Sequence, residues 1–233
     1  ESPAGKLSGG QRKLLELVEM KLVDGWDDPR FWTLAGLRRR GYTPASIRMF
    51  AERAGVSKAH QWIDMTDLER ALRDDLDATA ARGMAVLDPV RVVIENYPEG
   101  QFEPCSAPAH PHDETRGKRD FKFAREVFIE REDFMENPVK GFFRLVPGGE
   151  VRLRHGFIIK CERIEKDAAG NVTTIYASYD PATKSGTGGR NVKGAIHWVS
   201  KLDGIQAEVR LYDRLFNVEN PDAGEGDYKD YLN

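Results

Sequence analysis

Val151-Arg152-Leu153-Arg154-His155-Gly156-Phe157-Ile158-Ile159-Lys160-Cys161-Glu162-Arg163-Ile164 is the stretch whose reading decides the fold. It reads as strand, with period-two alternation rather than helical spacing, and it runs into Asp167-Ala168-Ala169-Gly170-Asn171, a cluster of turn formers. Residues 172–179 then read as the returning strand of a hairpin. Working outward, residues 91–95, 126–130, 195–200 and 207–216 have the same β-branched and aromatic content. Residues 104–118 and the Gly/Ser/Thr-rich 182–190 read as surface loops. Short strands separated by turns, with no long helix between them, favour an antiparallel Greek-key barrel over a parallel α/β sheet.

Before residue 80 the period is helical. Leu14, Leu15, Leu17, Val18, Leu22 and Val23 recur at helix spacing over 12–23, and Gly25 follows as a stop. A short helix is expected over 33–40, closed by Gly41. Thr43-Pro44 is an N-cap followed by proline at the first helical position, and Gly55 is a natural stop for that helix, with Ile47, Phe50, Ala51 and Ala54 as its buried stripe. Thr66-Asp67-Leu68-Glu69 has capping-box wording and opens a fourth helix that buries Leu68, Leu72 and Leu76. The expected class is α+β: a linker-like 1–11, a small helical bundle over 12–80, and a β-barrel domain over 81–233. The acidic, Gly-rich 220–233 is expected to hang loose.

The net charge is −3. Basic and acidic residues balance through residue 80, so the deficit lies beyond it. No global basic field exists, and phosphate binding would need local clusters. No apolar run reaches the roughly 18 residues of a membrane span, and the N-terminus has no signal-peptide pattern. Cys105 and Cys161 are isolated, which suits a reducing cytoplasm and structural roles.

Leu7-Ser8-Gly9-Gly10-Gln11 spells the signature of ABC-transporter ATPases, but the GxxxxGK[ST] loop that fold requires is nowhere in the sequence. His60, His110, His112, His155 and His197 have no metal-ligand spacing, and no nucleophile–base arrangement stands out. Arg38-Arg39-Arg40 can favour a helix C-terminus, pair with Asp27 or Asp28, or contact phosphate. Arg152 and Arg154 fall on one face of a single strand, about 7 Å apart. They can grip phosphates or splayed bases, or form cross-strand pairs with Glu150 or Glu162.

Gly25-Trp26-Asp27-Asp28-Pro29-Arg30, Leu37-Arg38-Arg39-Arg40-Gly41-Tyr42-Thr43, Gly194-Ala195-Ile196-His197-Trp198-Val199 and Arg210-Leu211-Tyr212-Asp213-Arg214-Leu215-Phe216 lie in that order along the chain. Together they resemble the C-terminal part of the glutaminyl-tRNA synthetase family, from just after its ATP-binding loop into its anticodon-binding barrels. The resemblance runs from about Arg12 to the last residue. It implies glutamine tRNA as partner, with ATP used only by the complete enzyme. It implies no independent catalysis, no cofactor or metal of this chain's own, no DNA and no membrane. A cytoplasmic monomer is expected, or one with a partner chain that supplies missing barrel strands.

For the anticodon, the resemblance implies Arg82, Pro111, His112, Arg144, Arg152 and Arg154. For the inner corner of the tRNA it implies Arg38, Arg39, Lys58 and Gln61. Ser8, Arg12 and Lys13 match a remnant of the ATP loop, with Gly9-Gly10-Gln11 where a lysine should be. The family's His-x-Gly-His run is absent from the sequence, and His112 replaces an Asn of the anticodon pocket. Two other readings compete. One is the β-barrel type of glutamyl-tRNA synthetase, which shares Gly-Trp-Asp-Asp-Pro-Arg; the other is an interaction or structural module that has lost RNA.

Overall fold

The computed structural model describes residues 8–56, 63–187, 189–221, 223 and 225–233. The chain divides into two compact units: Glu1–Thr79 with Arg210–Asn233, and Ala80–Val209.

The first unit begins with α1 (Gly9–Glu19), α2 (Leu34–Arg39), α3 (Pro44–Ala54) and α4 (Met65–Thr79). Each start has a local cause. Ser8 caps α1 reciprocally with Gln11, and Thr33 caps α2. Thr43 caps α3 reciprocally with Ser46, and its hydroxyl also donates to Asp75 on α4 at 2.6 Å. Helix α4 starts one residue before the Thr66 expected from sequence, because the Asp64 carboxylate takes the Thr66 backbone N–H at 2.7 Å. Gly36 is obligatory on α2: a Cβ there would lie 2.6 Å from the carbonyl oxygens of Asp28 and Phe31.

The helices do not share one core. Leu37, Tyr42 and Leu68 bury together with Ile47, Phe50 and Leu72 against them, while the expected Ala51 is exposed. Leu17 of α1 instead packs with Val23, Phe31 and Leu215, flanked by Leu14, Val18, Phe216, Tyr228 and Leu232. The end of the chain packs with the helices in this unit. Tyr228 donates to Glu16 at 2.8 Å, Lys229 reaches the same carboxylate at 2.5 Å, and Lys13 sits 4.8 Å over the Tyr228 ring. Charge and glycine content suggested a free tail. They missed Tyr228 and Leu232, which pack with Leu215 and Phe216 and whose apolar area drives the packing.

The second unit holds β1 (Pro89–Ile94), β2 (Phe102–Pro108), β3 (Lys118–Ala124), β4 (Glu126–Glu130), β5 (Glu150–Leu153), β6 (Ile158–Lys166), β7 (Val172–Asp180), β8 (Ala195–Ile196) and β9 (Val199–Ser200). Seven form a curled, half-barrel sheet in the order β8-β5-β6-β7-β1-β4-β9, and β2–β3 pair as a separate ribbon. The expected α+β class holds, but the sheet is mixed. β1 lies parallel to β7 and β5 parallel to β8, beside the antiparallel pairs. Alternation alone does not encode strand direction. Residues 104–118 are not one loop, since β2 takes up their first part. β2 carries Pro104 and Pro108, which a two-stranded ribbon tolerates because its edges are free. Residues 207–216 form no strand; Phe216 makes one isolated bridge to Leu232.

The β6–β7 turn behaves as read: the Asp167 carboxylate takes the N–H groups of Ala169 and Asn171, and Gly170 adopts φ 86°. Val92, Ile94, Val127, Val151, Leu153, Phe157, Ile159, Ile175 and Trp198 form the core, with Cys105 and Cys161 buried among them. Burial pushes the Cys105 thiol up to about 11, which disfavours the reactive thiolate.

Candidate nucleic-acid interface

The sheet unit holds the four arginines singled out for the anticodon, in four distinct settings. Arg82 lies at its start, where its N–H donates to the Ala109 carbonyl at 3.1 Å. That bond sets Arg82 beside the hairpin end carrying Pro111 and His112, both exposed, while His110 is buried. The His110 Nδ1 accepts the His112 N–H at 3.2 Å, which fixes the turn.

Arg144 packs over the 3₁₀ turn Arg131–Asp133. Its guanidinium donates to the Glu132 carbonyl at 3.1 Å and pairs with Asp133 at 3.2 Å. Burial raises the Asp133 carboxyl against the opposing pull of Arg144, and its Oδ2 has no hydrogen-bond partner. The Arg144 side chain is nonetheless about half exposed.

Arg152 is more committed. It donates to the carbonyls of Thr183 at 2.7 Å and Arg190 at 2.9 Å, clamping the loop that follows β7. Neither Glu150 nor Glu162 is its partner; Glu150 binds Arg190, and Glu162 binds Lys160 and Ser178. Arg154 does not share a strand with it, because β5 ends at Leu153 and residues 154–155 form a tight turn with His155 at φ 59°. Trp198 fixes that turn by donating its indole N–H to the Arg154 carbonyl at 2.9 Å. The Arg154 side chain is exposed.

In the helical unit Arg38 is exposed, and Arg39 pairs with Asp27 at 3.4 Å. Arg40 donates to the Tyr212 carbonyl at 3.3 Å and lies 3.9 Å from Glu69. Asp28 is instead taken by Arg30 in a two-pronged pair, with the N–H groups of Asp24 and Arg30 added, and these donors hold its carboxyl well below the usual range. Gly-Trp-Asp-Asp-Pro-Arg is thus a structural knot. Lys58 and Gln61 lie outside the described residues. Ser8 is a helix cap, Lys13 packs on Tyr228, and Arg12 is exposed on α1.

Two groups of note carried no motif. Arg119 on β3 holds its guanidinium 5.2 Å over the Phe121 ring, and burial together with the charges of Arg119 and Arg154 lowers the proton affinity of His155. The visible signal for Arg119 was its place at i−2 and i−4 from Phe121 and Phe123, on the apolar register of a strand.

Three family models match in sequence. Residues 4–78 match the catalytic domain of the class I tRNA synthetases (E and Q), 80–180 their anti-codon binding domain, and 195–233 a second anti-codon binding domain model. The chain belongs to the class I tRNA synthetases of the E and Q type. Among these synthetases it is 60% identical over 226 residues to a glutamine–tRNA ligase of Cupriavidus necator, covering 96% of this chain and 39% of that protein. Glutamine–tRNA ligases of Ralstonia pickettii and Nitrosomonas europaea are 59% and 57% identical, with 39% and 41% of their lengths covered. The chain thus spans about two fifths of the length of these relatives. Among the described residues, no helix is long and apolar enough to cross a membrane, and no three His, Cys, Asp or Glu side chains could hold a metal together.

Proposed function

We propose that this chain binds glutamine tRNA and reads its anticodon region through the sheet unit, as part of glutamine–tRNA ligase activity. The observation that carries the reading is the succession of two anti-codon binding matches over the sheet and tail, in a chain about 60% identical to glutamine–tRNA ligases. The side chains agree with it chemically. Arg82, His112, Arg144 and Arg154 present donors at the surface of one unit, and donors of this kind take splayed bases and phosphates. Arg144 is pre-oriented by Asp133, which lowers the cost of ordering it on binding. Arg152 acts mainly by shaping the loop over 181–190, and contributes to recognition through that loop. Arg38 and Arg39 would serve the inner corner of the tRNA from the helical unit, as would Lys58 and Gln61. The setting is the cytoplasm, where tRNA is charged.

Chemical footprinting of the glutamine tRNA with the purified chain tests the reading. Protection of the anticodon stem-loop is expected, and Arg144→Ala and Arg82→Ala should each erase part of it. A tRNA left uniformly accessible at saturating protein would overturn the proposal.

A further inference from the structure

Most arginines of the sheet unit are neutralised by a carboxylate: Arg91 by Glu126, Arg125 by Glu99, Arg131 by Asp88, Arg144 by Asp133, Arg163 by Glu95 and Arg190 by Glu150. Arg119 and Arg154 differ. Among the described residues neither has an ion-pair partner, although the chain as a whole is net acidic.

Their surroundings make the contrast physical. β3 alternates, with Lys118, Asp120 and Lys122 on one face and Arg119, Phe121 and Phe123 on the other. Phe121 and Phe123 pack edge-on to Trp198, with ring centroids 5.5 and 5.6 Å apart, inside the core. Arg119 continues that face, and its Nε is buried without a hydrogen-bond partner. A guanidinium donor removed from water and left unpaired is costly. From the other side Trp198 holds the Arg154 carbonyl, so the 154–155 turn is anchored to the same aromatic cluster. His155 completes the group, its proton affinity lowered by burial and by the charges of Arg119 and Arg154. Arg119 over Phe121 and the 154–155 turn on Trp198 thus flank one aromatic pair, and the buried unused donor is the Arg119 Nε–H.

We propose that Arg119, Arg154 and His155 form a phosphate-binding cluster that takes a backbone phosphate of the bound RNA. Arg119 supplies a buried, unused Nε–H, Arg154 an exposed outer donor, and His155 a third donor on a turn fixed by Trp198. This rests on the RNA-binding reading and adds Arg119 and His155 as contact residues. A backbone phosphate carries no base identity, so the cluster sets affinity and register rather than anticodon choice.

The test is an anisotropy titration of the glutamine tRNA over a salt series, using the wild-type chain, Arg119→Gln, Arg119→Lys, His155→Asp and His155→Asn. Asp and Asn both tolerate the left-handed backbone at 155, so that pair isolates charge. Arg119→Gln should weaken binding roughly tenfold, flatten the log affinity–log salt slope by about 0.7 to 0.9, and act equally on a tRNA with its central anticodon base changed. Arg119→Lys should recover part of the loss, and His155→Asp should bind more weakly than His155→Asn. Wild-type affinity and slope in both Arg119→Gln and His155→Asp would overturn the cluster and leave the RNA reading standing. If Arg119→Gln does not fold, the two His155 variants decide alone. Inorganic phosphate separates the ligand sources: it should raise the NMR titration midpoint of His155 in the wild type. A wild-type chain that binds no tRNA defeats the RNA reading; a phosphate shift would then keep the cluster as a free-phosphate site, and no shift would overturn it.

Discussion

At the scale of single residues, the same side-chain type serves different ends according to its neighbours. Arg152 and Arg154 are two positions apart, yet one is a loop clamp and the other an open donor. Arg152→Ala should therefore lower stability by about 1.5–3 kcal/mol, the range for hydrogen bonds from a charged group, and expose residues 181–190 to hydrogen exchange. Arg152→Lys should rescue little, because a single ammonium cannot bridge the Thr183 and Arg190 carbonyls. Unchanged exchange in that loop would contradict the clamp. Asp28 gives a pH signature. Its folded carboxyl is held below the unfolded value, first by the Arg30 side chain, so the stabilisation is complete above about pH 4 and is lost as the pH falls further. Asp28→Asn should flatten that acid limb in urea titrations. A wild-type acid limb in the variant would place the titrating group elsewhere. These roles were only partly legible in sequence: spacing identified the arginines, but which carbonyl or carboxylate meets each one depends on loops that periodicity does not place.

At the scale of elements, the helices were readable because their signals are local. Thr33, Thr43-Pro44 and Gly55 act within a few residues, and each cap appears in the structure. The β6–β7 hairpin was readable for the same reason, through Asp167 and Gly170. What escaped was pairing between distant segments. The ribbon β2–β3 was hidden by Pro104 and Pro108, the parallel neighbours β1 and β7 by the lack of any directional mark, and the tail by its charge. The tail gives a direct test. Leu215→Ala removes a buried side chain beside Leu17 and should cost about 2–5 kcal/mol locally. Limited proteolysis should then cut within 210–233 faster than in the wild type. Tyr228→Phe, which loses only the bond to Glu16, should show a smaller effect. Equal cleavage rates in all three proteins would mean the tail is not held by this core.

At the scale of the whole molecule, the family was carried by short stretches whose structural reasons are now visible. Gly-Trp-Asp-Asp-Pro-Arg encloses the Asp28–Arg30 knot, and Gly194 allows the Phe143 carbonyl to approach where a Cβ would collide with it at 1.8 Å. Such positions fix backbone geometry. Net charge of −3 said nothing for RNA, because charge is disposed locally: seven arginines of the sheet unit are paired with carboxylates, whereas Arg119 and Arg154 have no ion-pair partner among the described residues. Recognition of a particular tRNA by a few exposed donors on one unit is the central claim. The most direct measurement is a salt-series titration of the chain against the glutamine tRNA and against the same tRNA with its central anticodon base replaced. Tighter binding to the unaltered tRNA, with a clear salt slope for both, is the predicted result. Equal, weak binding to both with no salt dependence would contradict the claim.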